Sequence, residues 1–73
     1  MQITKEQLCD SCRKLHPVTS EGKPWKESVE DLLMLDAYKH PAKYIGINYT
    51  ILTTLEDNGG CSRCIDLLNR ATQ

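Results

Sequence analysis

Phenylalanine is absent from this 73-residue chain and tryptophan occurs once, so aromatic rings can supply little of any core. Long apolar runs are missing too; the longest is Leu32-Leu33-Met34-Leu35. A membrane-spanning helix needs about 20 apolar residues, so none is expected here. No sign of charge dominates: nine Lys and Arg stand against ten Asp and Glu, for a net charge of −1. The broad basic footprint of a nucleic-acid binder is therefore lacking. The sequence also has no Gly-rich phosphate loop, no nucleophile elbow and no paired-carboxylate motif, which argues against an enzyme with a small-molecule substrate. The polar start Met-Gln-Ile-Thr-Lys-Glu lacks the apolar stretch of a secretory signal, so a cytoplasmic or otherwise intracellular protein is expected. What remains is one small domain spanning 1–73. Its 40% hydrophobic content is too high for a disordered tail. A core of this size rarely supplies more than about 3–5 kcal/mol, so a staple is expected.

The staple is visible in the cysteines. Cys9-Asp10-Ser11-Cys12 and Cys61-Ser62-Arg63-Cys64 are two C-x-x-C pairs, 48 residues apart. Two intervening residues let a tight turn aim both sulfurs at one ion about 2.3 Å away, and two such turns complete a tetrahedron. Cys9, Cys12, Cys61 and Cys64 are thus the candidate ligands of one structural zinc ion. Disulfides and a redox pair are the competing readings, and iron is chemically feasible with four thiolates. Rubredoxin-like knuckles resemble Cys-x-x-Cys-Gly, whereas Arg13 and Ile65 follow the two pairs here. A closed set of four sulfurs leaves no open coordination position, so the site reads as structural. Four thiolates and a divalent ion would take the net charge from −1 to −3, partly offset by Arg13, Lys14 and Arg63 beside the ligands. Both knuckles have the form Cys-x-x-Cys-x-x-Leu, ending at Leu15 and Leu67. His16 and His40 each precede a proline and show no metal-ligand spacing, although His16 lies near enough to Cys12 to replace or support a thiolate.

Between the pairs the elements are less uniform. Thr4 and Gln7 form a capping-box pattern, which predicts a helical turn anchored by Ile3 and Leu8. Residues 13–24 carry two prolines and a glycine and read as loop, with one brief strand around Leu15 and Val18. Residues 24–39 carry the best helical signal: Pro24 suits a first turn, Trp25, Val29, Leu32, Leu33 and Ala37 recur at helical spacing, and Pro41 ends the element. Residues 43–57 fit two patterns. Ile45, Ile47, Tyr49 and Ile51 alternate as in a strand, the favoured reading, while Ile47, Ile51, Leu52 and Leu55 make a helical stripe. Asn58-Gly59-Gly60 is a turn, and residues 62–72 form a C-terminal helix capped by Ser62, with Ile65, Leu68 and Ala71 on one face.

A first knuckle, a middle with strands, and a second C-x-x-C opening the helix-like Cys64-Ile-Asp-Leu-Leu-Asn-Arg-Ala resemble a treble-clef zinc domain; a zinc ribbon is the next closest. The resemblance implies an α+β fold, zinc-stapled, with a central amphipathic helix and a C-terminal helix. Domains of this type serve many functions. The expected function is a regulatory protein-interaction module, similar in size to transcription or host-machinery regulators of bacteria and their viruses. The alternative is a nucleic-acid-binding zinc domain. Tyr38, Tyr44, Tyr49, Arg13 and Arg63 are the candidate partner contacts. Trp25 is read as a core residue in preference to a contact.

Overall fold

A computed structural model describes residues 2–72, and helices account for almost all of its regular structure. A 3-10 turn, Lys5–Gln7, leads into helix α1, Asp10–Arg13. A loop follows, then α2, Val29–Leu33, and a second 3-10 turn, Asp36–Lys39. Helix α3 spans Pro41–Asp57 and α4 spans Ser62–Ala71. Among the described residues there is no strand, only an isolated antiparallel bridge between Val18 and Pro24. The expected α+β class is thereby corrected to all-helical, and the strands of a treble clef are missing.

The correction centres on residues 43–57, which are helical. The alternating residues do not share a side: Ile51 is buried, Ile47 half-buried, and Ile45 and Tyr49 are exposed. The stripe that persists is the helical one, with Asn48, Ile51, Leu52 and Leu55 all buried. A strand also needs a neighbour to pair its backbone groups, and no other described segment provides one. Pro41, expected to end the preceding helix, instead opens α3 at its first turn, where a missing N–H costs nothing.

The helix expected over residues 24–39 is shorter and broken. Ser28 starts it: its hydroxyl accepts the Asp31 N–H at 3.3 Å, and the Asp31 carboxylate accepts the Ser28 N–H at 3.1 Å. Upstream, Trp25 N–H donates to the Pro17 carbonyl, which ties that residue into the loop. Trp25 is 37% exposed and lies outside the core cluster, so its assignment to the core is corrected. Past Met34 the chain extends at Leu35 and re-enters a 3-10 turn, which carries Tyr38 inward. The Tyr38 hydroxyl accepts the Ile3 N–H at 2.6 Å and donates to Asn48 Oδ1 at 3.1 Å. Burial raises its pKa, consistent with a phenol that stays protonated as a donor. One side chain thereby ties the N-terminal segment to α3.

The capping box at Thr4 and Gln7 is present, and Ile3 and Leu8 are buried as anchors. Helix α3 ends in a Schellman-type cap. Gly59 takes the left-handed conformation at φ 69°, and Gly60 N–H donates to the Leu55 carbonyl at 2.7 Å. A Cβ on Gly60 would lie 2.7 Å from Leu55 Cβ, so only glycine fits there. The cap reverses the chain directly into the second cysteine pair. Helix α4 then packs along α3, burying Cys64, Leu68 and Ala71. Its N-cap is Cys61; Ser62, the expected cap, is the first helical residue.

Two substitutions test these ties. Tyr38→Phe leaves the Ile3 amide without its acceptor and should lower unfolding free energy by about 1–3 kcal/mol. Gly60→Ala should cost a similar amount, about 1–3 kcal/mol, by forcing the α3–α4 turn apart. Urea unfolding followed by circular dichroism measures both; unchanged midpoints would dismiss these contacts as incidental.

Candidate metal centre

The two cysteine pairs meet through matching local geometry. Cys9 is the N-cap of α1 and Cys61 the N-cap of α4, both with extended backbone. Cys12 and Cys64 each stand three residues further on, in the first turn of their helices. This places two sulfurs at the N-terminus of each helix, where backbone amides and the helix dipole favour anions.

Crossed hydrogen bonds join the two halves. Cys9 N–H donates to Cys64 Sγ at 3.4 Å, and Cys61 N–H donates to Cys12 Sγ at 3.3 Å. Each outer cysteine of one pair therefore supports the inner cysteine of the other. The sulfurs of Cys9, Cys61 and Cys64 all lie within 4.8 Å of one another. Cys12, the fourth expected ligand, falls outside that three-sulfur group and stands beside Cys9 and Cys64, whose sulfurs influence its ionisation. All four are free thiols, and the two inner ones, Cys12 and Cys64, are buried. The arrangement could hold a metal ion and is compatible with zinc.

The four thiols differ in acidity. Cys9 is lowered to about 7, chiefly by the Cys12 amide and then by the Cys12 thiol. Cys61 is lowered by the amides of Cys64 and Arg63. Burial pushes Cys12 up to about 12 and raises Cys64 as well. The outer pair is thus prepared to ionise, while the inner pair needs a cation to stabilise its charge.

The surroundings are equally specific. Leu15 and Leu67, the ends of the repeated Cys-x-x-Cys-x-x-Leu pattern, are both half-buried against the core. A cleft of about 280 Å³ runs beside the site, lined by Cys9, Ser11, Cys12, Leu15 and residues 58–61. Arg63 Nη1 donates to the Gln7 carbonyl at 3.0 Å, binding α4 to the N-terminal turn. Arg13 pairs with Asp10. His16 is outside the sulfur cluster; its Nδ1 meets the Trp25 carbonyl at 3.1 Å. His40 is the N-cap of α3.

The tyrosines separate by position. Tyr38 is 2% exposed and is removed from the candidate contact surface. Tyr44 is half-buried and meets the Tyr38 ring edge-on at 5.8 Å between centroids. Tyr49 is 54% exposed. Sequence reasoning missed the first helix: Asp10, an acid directly after Cys9, was its one local signal. It also missed the crossed amide–sulfur bonds, which join residues about fifty positions apart and leave no local trace. No protein-family model matches the chain, and neither curated proteins nor solved structures yield a match.

A divalent ion entering this cluster must displace the protons that burial keeps on Cys12 and Cys64. Lower pH therefore opposes binding. Apparent affinity should rise by about a hundredfold or more for each unit of rising pH near neutrality. Competition against a chromophoric chelator measures this slope, and a flat profile would exclude thiolate ligation.

Proposed function

We propose that this chain is a zinc-stapled helical module that acts by binding another protein. The observation that carries the reading is the convergence of two C-x-x-C pairs, each set at a helix N-terminus and joined by crossed amide–sulfur bonds. Cys9, Cys12, Cys61 and Cys64 would bind one zinc ion as thiolates. Zinc accepts four sulfurs in a tetrahedron without redox chemistry or a demand for further ligands. The ion's role is structural. It would hold the segment ahead of α1 against the start of α4, which the small core alone supports weakly.

Binding fits this chain better than catalysis, because a complete set of four thiolates leaves no position for substrate or water at the ion. Protein is the favoured partner class. Four of the nine cations that a nucleic acid could use are paired with acids: Arg13 with Asp10, Lys5 with Glu30, Lys39 with Asp36 and Arg70 with Asp66. A regulator that occupies a surface of larger machinery suits a domain of this size, in which most of the chain is scaffold.

Elemental analysis should find one zinc per chain in reduced protein, and a strong chelator should abolish most of the helical circular dichroism. Cys61→Ser should lose the ion and unfold in the same way. Full helicity without zinc would defeat the staple. Cross-linking capture, comparing zinc-loaded and chelated protein, tests the interaction role; capture that does not depend on zinc loading would count against it.

A further inference from the structure

The loop over residues 17–25 and the outer face of α3 enclose a groove of about 580 Å³, on a part of the surface that the cysteines do not line. Three of its lining side chains are apolar or aromatic and well exposed: Val18 at 55%, Trp25 at 37% and Tyr49 at 54%. A chain with one tryptophan and no phenylalanine has left that tryptophan outside its core. The loop is not slack there. The Val18–Pro24 bridge, the Trp25 N–H to Pro17 carbonyl bond at 2.8 Å and the His16 contact all hold Trp25 in place.

The electrostatics of the groove are one-sided. Asp57 is the single charged residue that lines it and forms no ion pair among the described residues. It is also the last residue of a 17-residue helix whose final turn contains no basic side chain. The negative pole of α3 and the Asp57 carboxylate therefore add, and no basic side chain of that last turn offsets them. Exposed Trp and Tyr rings favour a cation as well. The rest of the lining carries hydroxyls on Thr19, Ser20, Thr50 and Thr53; Thr19 already accepts the Lys23 N–H and Thr50 already donates to the Gly46 carbonyl, which leaves Ser20, Thr53 and the spare lone pairs for a ligand. Hydroxyls suit a ligand whose backbone amides and carbonyls need partners, which an extended segment has and a helix does not.

We propose that the groove between residues 17–25 and α3 docks an extended, basic segment of a partner protein, with a Lys or Arg at the Asp57 end and the chain lying over Trp25 and Tyr49. This rests on the reading of the domain as an interaction module and names the surface it uses. The test is selection from a display library of random linear peptides on the zinc-loaded full chain. Enriched sequences should carry Lys or Arg. Their binding should weaken with added salt, fall about tenfold in Asp57→Asn, and be lost in Trp25→Ala. Zinc content and circular dichroism check that each variant is folded. Tyr49→Ser, on the exposed face of α3, serves as a second aromatic variant and should weaken binding without disturbing the core. No enrichment, enrichment of acidic sequences, or peptides that bind Asp57→Asn and Tyr49→Ser as well as the parent chain would each overturn the groove assignment. Peptides indifferent to these variants would still leave the interaction role standing, with another surface carrying it. Failure of both the library and cross-linking capture would remove the interaction role itself.

Discussion

Two backbone amides, those of Cys9 and Cys61, each donate to a sulfur of the opposite cysteine pair, and this exchange is the contact on which the architecture turns. It brings the start of α4 against the start of α1. Around it, Arg63 reaches the Gln7 carbonyl, and Leu8, Cys12, Cys64 and Leu68 join one buried cluster. Everything between the pairs is then a closed loop of chain that must fold back over a fixed distance. Closing such a loop costs entropy that grows only slowly with its length, so a long insert between the two knuckles is tolerated.

The same constraint explains the sharp cap on α3. The helix must stop and reverse within three residues to deliver Cys61 to Cys12. The left-handed Gly59 and the close approach of Gly60 to Leu55 accomplish that. A second tie, from Tyr38 to Ile3 and Asn48, fixes the N-terminal segment from the other side. The fold is therefore held by a few polar and sulfur contacts placed at chain reversals, with a small aliphatic core between them. That economy leaves side chains free for the surface, among them the aromatic pair of the outer groove.

Legibility in the sequence followed the range of the interactions. The Thr4–Gln7 cap, the aliphatic face of α4 and the cysteine pairs depend on residues three or four apart, and each was readable. Trp25 was misplaced because its helical spacing to Val29 was genuine, yet Ser28 and Asp31 formed a better helix start just downstream. Residues 43–57 were misassigned to a strand because β-branched residues and alternation agreed locally. Propensity of this kind yields to tertiary context. The buried Asn48 and Leu55 belong to a helical stripe, and the described residues contain no neighbouring strand to pair with.

The sequence by itself determined that four thiols come in two turn-forming pairs and that the C-terminal helix carries one apolar face; among the described residues no helix is long and apolar enough to cross a membrane. Only the tertiary structure decided that the middle of the chain is helical, that Tyr38 lies inside while Trp25 lies outside, and that each cysteine pair is supported by an amide of the other. The physical reason is the same in each case. Local spacing records which face a residue shares with its near neighbours, whereas burial and sulfur–amide contact depend on segments that meet only after the chain has closed on itself.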